Sequence, residues 1–484
     1  MTNAKLVAKI LGVLMLVEAV LLLVPIGVDL YYGEDTIFSF VSSAVITLLA
    51  GVVMMTCGRG ADNIMNRRDG FFIVTMSWVL FTVFGLLPFY IGGYVETVTD
   101  CFFETMSGFT TTGFTVIDNL ESLPHSILFW RSFIQWVGGL GMVFFTIAVL
   151  PVFGTGGVQL FAAEATGITS DRVHSRIGVT ARWIWSIYLG ITALETFFLC
   201  TAGMGLFDSI CHSFSTTATG GFSTKQANVM YWDSPAIEYI MSIFMFVSGV
   251  NFTLLYLAVF KGRFSQLFRN TELRYYIATF CYFVLAIAGI LYLQGGMGLE
   301  ESFRKSLFQV ATCQTTSGFA SDDFTLWPAS TNILLLTSML IGACAGSTSG
   351  SIKCVRIAVV VKALKNEFNS MIHPNAVLPV KMNGKVLPQK TVLSAVVFAI
   401  VYIIIAMVGT FLYYTTGIGL TESLSMSISS LGNVGVGLGN YGPAYSCSSL
   451  TDFAKWVTSA LMLVGRLEIF TVLLLFAPSF WKNA

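Results

Sequence analysis

Apolar stretches of about 20 residues recur along the whole chain, and they restrict it to one class of fold. A helix that crosses a bilayer core of about 30 Å needs about 20 apolar residues. Lys, Arg, Asp and Glu make up only 11% of the 484 residues, against about 25% in soluble domains. The sequence therefore predicts an all-α polytopic membrane protein. The ten stretches lie near 5–31, 37–57, 71–93, 127–152, 183–204, 234–260, 274–294, 331–361, 391–415 and 454–478.

The basic residues predict the orientation of these spans. Lys and Arg in short loops stay on the cytoplasmic side of a membrane, and 20 of the 26 in this chain fall where alternate span ends meet. Acidic residues such as Asp29, Asp100 and Asp322 lie at the opposite ends. This pattern predicts that both termini are cytoplasmic.

Four short polar segments interrupt the apolar pattern, and they form an internal repeat. Superposing them stacks Gly113, Gly220, Gly318 and Gly435, at intervals of 107, 98 and 117 residues. Repeats at a fixed period indicate a fold built from matched units. The four polar segments are "TTTGFTV" at 110–116, "TATGGFST" at 217–224, "TTSGFASDD" at 315–323 and "GNVGVGLGN" at 432–440.

A half-length apolar stretch precedes each polar segment. These stretches have only 11 to 14 residues, near 98–109, 206–216, 301–314 and 420–431. That length is too short to cross a bilayer and is typical of re-entrant helices. Each unit therefore reads as span, half-span, polar segment and span, and all four polar segments face the outside.

The repeats divide the chain into an N-terminal pair of helices and four pore units. The predicted architecture is a set of helix, re-entrant pore helix and helix repeats around a pseudo-fourfold axis. The predicted boundaries are 1–60 for the N-terminal helices, 71–155, 181–262, 274–362 and 391–480 for the repeats, and 363–390 for a cytoplasmic loop.

The composition of the polar segments indicates a cation pathway. Non-helical backbone at membrane depth must be buried in protein or line a water-filled cavity. Around one axis, the carbonyl oxygens of four such segments would form rings that replace the hydration shell of a cation. Glycine permits the required φ > 0 turns, threonine adds hydroxyl acceptors, and re-entrant helices would direct the negative ends of their dipoles inward. A single segment could equally be a helix-ending turn, but four copies in register favour the pathway.

The narrowest part of this cation pathway would be a selectivity filter. The residues predicted to line it are those around the four glycines. They are Thr110, Thr111, Thr112, Gly113, Ala218, Thr219, Gly220, Gly221, Thr316, Ser317, Gly318, Phe319, Asn433, Val434 and Gly435. The bound metal at these residues would be a monovalent cation, identified as K⁺ only by the family resemblance described below, and no other cofactor is indicated.

The helix after each polar segment is interrupted by small residues, and the third interruption is the most extreme. Residues 342–351 have no large side chain, which predicts a mobile break because each glycine lowers helix propensity by about 1 kcal/mol relative to alanine. The predicted gating residues there are Gly346, Ser347, Thr348, Ser349 and Gly350. The alternative is a close helix-packing face, since Gly346 and Gly350 also match a GxxxG pattern.

Arg466 is a cation inside the last apolar span. An isolated charge there costs about 3 kcal/mol, so the guanidinium must find a carboxylate, carbonyl groups or water. Glu468 is only two residues away, which in a helix would place it on another face. One interpretation is a buried structural pair, and the other places Arg466 below the filter, where it would repel cations or hold the glycine-rich loop.

The four polar segments, the half-length helices and the two additional N-terminal spans resemble the Trk/Ktr/HKT superfamily of potassium-uptake membrane subunits, specifically the TrkH type, over essentially the full chain. The resemblance implies K⁺ uptake across a bacterial inner membrane, with Rb⁺ as a substitute ion. One glycine per repeat implies K⁺ preference. Asn433 and Val434 depart from the pattern because they replace the Thr or Ser of the other segments.

The same resemblance implies a gate and partners. In this family a broken helix places a loop below the filter, and a basic residue occupies the place of Arg466. The membrane subunit forms a homodimer within membrane lipid and binds a cytosolic, nucleotide-binding TrkA-like ring. The basic stretches 261–274 and 362–390 are candidate docking surfaces, although cytoplasmic topology alone also explains their charge.

Other function classes have weaker support. The "GLGNYGP" stretch at 437–443 contains a GxGxxG match but has no surrounding βαβ unit, which argues against a dinucleotide site. The four histidines are scattered without nucleophile or carboxylate partners, so no enzymatic site is predicted, and nothing indicates a nucleic-acid partner. The main alternative is a secondary transporter with broken helices, including a proton-coupled K⁺ symporter.

Overall fold

The computed structural model describes residues 3–62, 65–139, 141, 177–442 and 445–481. The part before the first repeat contains α1 (Ala4–Leu21), α2 (Val24–Tyr32) and α3 (Ile37–Cys57). Repeat 1 contains α4 (Arg67–Gly85), α5 (Leu87–Ile91), α6 (Val98–Phe109) and α7 (His125–Gly139). Repeat 2 contains α8 (Ile177–Thr201), α9 (Leu206–Ala218), α10 (Pro235–Ser248) and α11 (Phe252–Val259).

The second half repeats the same order of elements. After the short α12 (Phe264–Arg269), repeat 3 contains α13 (Thr271–Gln294), α14 (Leu299–Thr315), α15 (Ala329–Ile341) and α16 (Cys354–Ile372). Repeat 4 contains α17 (Gln389–Tyr414), α18 (Leu420–Gly432), α19 (Asp452–Arg466) and α20 (Phe470–Phe476), followed by α21 (Pro478–Trp481). A hairpin of β1 (Lys381–Met382) and β2 (Lys385–Val386) pairs antiparallel before α17.

Within the described ranges, six continuous helical stretches are long and apolar enough to cross a membrane. They correspond to the predicted spans near 5–31, 37–57, 71–93, 183–204, 274–294 and 391–415. The predicted span at 127–152 is helical through Gly139, and most of its second half lies outside the described residues. These stretches confirm a helical, multi-pass membrane protein.

The remaining three predicted spans are broken at their small-residue interruptions. The helices α10 and α11 meet at an angle of 101°, and α19 and α20 meet at 115°. The second bend is made by Glu468 and Ile469, whose φ angles of +53° and +56° leave the helical region. In repeat 3 the break is widest, because residues 342–353 separate α15 from α16. The interruptions predicted within the spans at 234–260, 331–361 and 454–478 are therefore confirmed as breaks in the helix.

The last helix of repeat 3 also extends the repeat beyond its predicted end. The sequence predicts that 363–390 is a loop, whereas α16 continues to Ile372 and the hairpin occupies part of the remainder. Helices α16 and α17 flank this segment, and both pack against the hairpin region. The contact is a small apolar cluster of Val355, Val359, Val380, Met382 and Ala395. Helix α16 thus connects the break in repeat 3 directly to the basic stretch at 362–390.

Candidate functional site

Four short helices place the polar segments, and we call α6, α9, α14 and α18 the pore helices. Each carries an acidic residue in its first turn, which complements the positive end of the helix dipole: Asp100, Asp208, Glu300 with Glu301, and Glu422. Within two residues of its end, each is followed by a residue with a left-handed backbone conformation, at φ angles of +54° to +60°: Thr111, Thr219, Thr316 and Asn433. The four ends are thus built alike even though their sequences differ.

The polar segments run back along their own pore helices and satisfy their N–H groups there. The residue directly after each left-handed residue donates its N–H to a carbonyl near the helix end, at 2.9, 2.7, 2.9 and 2.9 Å in repeats 1 to 4. The next N–H bonds a hydroxyl in two repeats, from Gly113 to Ser107 Oγ at 3.1 Å and from Gly435 to Ser429 Oγ at 3.0 Å. Buried backbone at membrane depth therefore keeps its donors satisfied, as it must.

One glycine from each polar segment forms a closed ring. Gly113, Gly221, Gly318 and Gly435 have φ angles of +100°, +80°, +79° and +87°. A Cβ built on any of them would collide with a carbonyl oxygen of the following repeat. Reading around the ring, those oxygens belong to Gly220, Ser317, Val434 and Thr112. Each position therefore requires glycine for two reasons. Its φ angle is positive, and the polar segment of the next repeat leaves no room for a Cβ atom.

The ring corrects the register of segment 2. The sequence stacks Gly220 with the other three glycines, but Gly221 has the matching φ angle and the matching contact, and Gly220 occupies the position before it. The sequence contains two adjacent glycines there, and spacing alone does not distinguish them. The left-handed Thr219, two residues before Gly221 as Thr111 is before Gly113, fixes the correct alignment.

The closure of the ring also fixes how the repeats are related. The same glycine-to-carbonyl contact occurs at all four boundaries, from repeat 1 to 2, 2 to 3, 3 to 4 and 4 to 1. A head-to-tail contact that closes is the property of a rotation about one axis. Inverted repeats would instead alternate in direction. The polar segments therefore enter from one side and meet at a common axis.

Side chains around the ring differ between repeats. Hydroxyl pairs brace repeats 1 and 3, with Thr110 and Thr112 joined at 2.8 Å and Thr315 and Ser317 at 2.7 Å. In repeat 4, Asn433 Nδ2 donates to Thr112 Oγ1 at 3.0 Å and to the Met462 carbonyl at 2.9 Å. The substitution that the sequence analysis marked as a departure thus links repeat 4 to repeat 1.

The glycine-rich loop of residues 342–353 lies directly against the ends of three pore helices. Thr348 Oγ1 donates to the Thr217 carbonyl at 3.1 Å, and the Gly350 N–H donates to Thr316 Oγ1 at 2.9 Å. Gly350 also packs on Gly432 so closely that a Cβ at 350 would collide with the Gly432 carbonyl oxygen. The loop therefore occupies the space where the pore helices end and the polar segments begin.

Arg466 holds this loop from the side of repeats 4 and 1. Its guanidinium donates to the Thr348 carbonyl at 2.9 Å and to the Gly138 carbonyl at 2.6 Å. Together with Ser347, Thr348 and Ser349, it lines a cavity of about 60 Å³. Of the predicted gating residues, only Gly346 lies apart: it is exposed, and its carbonyl accepts from Phe252 N–H at 3.0 Å at the bend of repeat 2.

A buried ion-pair cluster at the base of the loop was not identified from the sequence. Glu468 pairs with Lys353 at 3.0 Å and with Arg356. The Arg356 guanidinium also lies 4.0 Å from the centre of the Phe398 ring. Glu468 thus ties the bend of repeat 4 to the first turn of α16. The signal for it was the pair of cations at the start of that helix, which need a counter-charge inside the membrane.

A second missed pair supports polar segments 1 and 2. Arg131 Nε lies 2.8 Å from Glu104 Oε1, and both side chains are at most 1% exposed. Glu104 also accepts the Val116 N–H at 3.0 Å, and Arg131 donates to the Ser223 carbonyl at 3.0 Å. The pair therefore joins polar segments 1 and 2, and its signal was a charge within each of two apolar stretches.

Arg131→Ala is expected to destabilise the protein strongly, because it leaves the Glu104 carboxylate buried without its partner. Loss of one member of a buried pair costs about 3 to 5 kcal/mol, and thermal unfolding in detergent measures it. The control is Lys305→Ala, which removes the more exposed pairs with Asp322 and Glu301 and is expected to cost about 1 kcal/mol or less. Equal losses of stability in the two variants would contradict this role of Arg131.

Comparison with known proteins agrees with this geometry. A family model described as "TrkH: Cation transport protein" matches residues 36–483. The potassium uptake protein TrkH of Salmonella typhimurium is 36% identical over 481 residues, covering 99% of both chains. The TrkH of Vibrio parahaemolyticus is 38% identical over 482 residues, again covering 99% of both. The crystal structure of the potassium transporter TrkH from Vibrio parahaemolyticus superposes with a TM-score of 0.89, at 36% identity and 99% coverage of both chains.

Proposed function

Since this chain belongs to the TrkH family of cation transport proteins, we propose that it takes up K⁺ through the filter formed by its four polar segments. The observation that carries the proposal is the closed ring of Gly113, Gly221, Gly318 and Gly435. It brings four strands of irregular backbone to one axis, where carbonyl oxygens can replace the water around a monovalent cation.

The pore helices supply a second source of cation affinity. Their negative, C-terminal ends meet at the polar segments, and a helix end carries about half an elementary charge. One N–H of each polar segment, and a second in repeats 1 and 4, is bonded to its own pore helix, and we propose that the carbonyl oxygens are the groups presented to an ion. The ion ligands we propose are the residues of the predicted filter, with Gly221 in register with the three other ring glycines.

The glycine-rich loop is the proposed gate. Thr348 and Gly350 contact the inner ends of the polar segments, and Arg466 fixes Thr348 from the opposite side. An ion that leaves the filter inward must displace this loop. The described conformation is therefore a closed one, and conduction requires the loop to move.

A flux assay with purified protein in liposomes tests the proposal. K⁺ and Rb⁺ should enter through the same pathway, while Na⁺ and Li⁺ should enter at least about tenfold more slowly, a difference of about 1.4 kcal/mol. Each ion is measured with and without a pH gradient. Equal fluxes of all four ions would contradict a selective filter.

The second candidate is K⁺ uptake coupled to protons, and two side chains favour testing it. Glu18 and Glu195 are carboxyl groups buried to 1% or less within membrane-spanning helices, and such groups often carry protons in transporters. A pH gradient alone should then drive K⁺ accumulation against its own gradient. A channel would show no such accumulation.

The assembly we propose is a homodimer in a bacterial inner membrane, with both termini cytoplasmic and a TrkA-like regulatory ring on the cytoplasmic face. The basic stretches 261–274 and 362–390 support the orientation. Helix α16 supports a route for regulation, since it runs from the gate loop to the second of these stretches. Labelling of Ser265→Cys and Gly384→Cys, each in a background without the nine native cysteines, tests the orientation in intact cells and inverted vesicles, because only inverted vesicles should react.

A further inference from the structure

The boundary between repeats 1 and 2 contains a hydrogen-bonded clamp on the filter. Gln135 lies on α7 of repeat 1, and its side chain is fully buried. Its Nε2 donates to the Gly220 carbonyl at 2.6 Å, and its Oε1 accepts the Phe222 N–H at 3.1 Å. One amide therefore bonds the residues on both sides of the ring glycine Gly221. We refer to polar segment 2, residues 217–224, as strand 2 of the ring.

The clamp occupies the place of a side chain that strand 2 lacks. The residue before the ring glycine is Thr112, Ser317 or Val434 in the other repeats but Gly220 in repeat 2. A Cβ built on Gly220 would lie 2.5 Å from the Gln135 Cδ atom. Gly220 does not have a left-handed φ angle, so the amide of Gln135, rather than the backbone, excludes a side chain at this position.

The boundary between repeats 2 and 3 shows the converse pairing, with a bulky apolar residue in place of Gln135 and a side chain in place of Gly220. Tyr188 Oη donates to the Trp136 carbonyl at 3.0 Å, and Tyr276 Oη donates to the Phe246 carbonyl at 3.2 Å. Trp136 and Phe246 are therefore equivalent, so Met245 of repeat 2 matches Gln135. Met245 is buried and its Sδ lies 3.4 Å from Thr312 Oγ1 in the pore helix of repeat 3, where the residue before the ring glycine is Ser317.

The boundary between repeats 4 and 1 follows the same rule. A Cβ on Gly138 would collide with the Phe109 carbonyl oxygen, and a Cβ on Gly465 would collide with that of Leu431. Phe109 and Leu431 each lie four residues before a ring glycine, so Gly138 and Gly465 are equivalent, and Met462 matches Gln135. Met462 is buried, and the facing strand carries Thr112.

We propose that Gln135 is the positioning residue that fixes strand 2 of the filter, its amide replacing the side chain absent at Gly220. Two adjacent glycines give strand 2 more conformational freedom than any other strand of the ring. The Gly220 carbonyl oxygen lies at the ring, so its position affects the size and field of the ion site, on which discrimination between K⁺ and Na⁺ depends. This inference rests on the proposed function and assigns one residue to its selectivity.

The test replaces the pairing of Gln135 with Gly220 by the Met and Ser pairing of the next boundary. The readout is K⁺ and Na⁺ flux in liposomes. Gln135→Met removes the clamp, and Gly220→Ser places a side chain against the Gln135 amide. Each single variant is expected to lower the K⁺ to Na⁺ flux ratio about tenfold, equivalent to about 1.4 kcal/mol. The double variant recreates the Met and Ser pairing of repeats 2 and 3, and it should recover most of the wild-type ratio.

A merely structural role predicts a different pattern. It would lower total flux and thermal stability without changing the ion ratio, and the two substitutions would add rather than compensate. The inference about Gln135 would be overturned if both single variants kept a K⁺ to Na⁺ flux ratio within twofold of wild type. It would also be overturned if the ratio of the double variant were no higher than that of the worse single variant. Neither result would contradict the proposed function. Wild-type protein that does not discriminate would overturn both the inference and the proposed function. If Gln135→Met does not fold, the flux ratios of Gln135→Leu and of the double variant are judged by the same criteria.

Discussion

Replacing Gly435 by alanine is expected to reduce K⁺ uptake about 100-fold. Gly435 has a φ angle of +87°, and a Cβ there would collide with the Thr112 carbonyl oxygen at the boundary between repeats 4 and 1. Overpacking costs about 1 to 3 kcal/mol, and the strained φ angle costs about 1 to 2 kcal/mol more. The combined cost of about 3 kcal/mol falls on the ring itself and corresponds to about two decades of rate.

Gly417→Ala is the matched control for this variant. Gly417 has almost the same φ angle, +89°, but nothing lies within 4 Å of a Cβ built on it. It therefore carries the backbone strain without the collision, and its K⁺ uptake is expected to stay within about twofold of wild type. Liposome flux of both variants, with folding verified by size exclusion, measures the difference. Equal losses would mean that the ring contact does not matter.

The second large effect is an increase in flux. Arg466→Ala removes the two hydrogen bonds from the guanidinium to the Thr348 and Gly138 carbonyls. Hydrogen bonds to charged groups contribute about 1.5 to 3 kcal/mol each. The closed position of the loop should therefore lose about 3 kcal/mol or more, and K⁺ flux in liposomes should rise at least about tenfold. Deletion of residues 346–350 should raise it as well.

The control for the charge itself is Arg304→Ala. Arg304 pairs with Glu238 and Glu300 near the N-terminal ends of α10 and α14, away from the loop. Its removal should leave K⁺ flux within about twofold of wild type. Unchanged or lower flux in folded Arg466→Ala protein, with Arg304→Ala behaving as expected, would contradict a gating role for Arg466.

The sequence predicted the features that periodicity and composition determine. Apolar spans, half-length pore helices and glycines at repeat spacing follow from the thickness of the bilayer and from the φ angles that glycine permits. The break between Ile341 and Cys354 was also predictable, since small residues without helix propensity occupy it. The direction of the chain after each break was not predictable, because tertiary packing sets the bends of 101° and 115°.

The features that the sequence missed depend on contacts between distant residues. The register of segment 2 required the φ angles of Thr219 and Gly221, because two adjacent glycines give the same pattern in either alignment. The two partners of Glu468 lie 112 and 115 residues away along the chain, and the partner of Arg131 lies 27 residues away. A charged residue inside an apolar span indicates that a partner exists, but only the folded structure shows which residue that partner is.

The most direct test of the account is the position of a bound ion. Rb⁺ scatters anomalously and should occupy the proposed K⁺ sites, so crystals of the protein in Rb⁺ locate the pathway without a flux measurement. The account predicts an anomalous peak on the common axis, among the carbonyl oxygens of Thr112, Gly220, Ser317 and Val434. Ordered polar segments with no peak between them, and Rb⁺ bound only elsewhere, would contradict it.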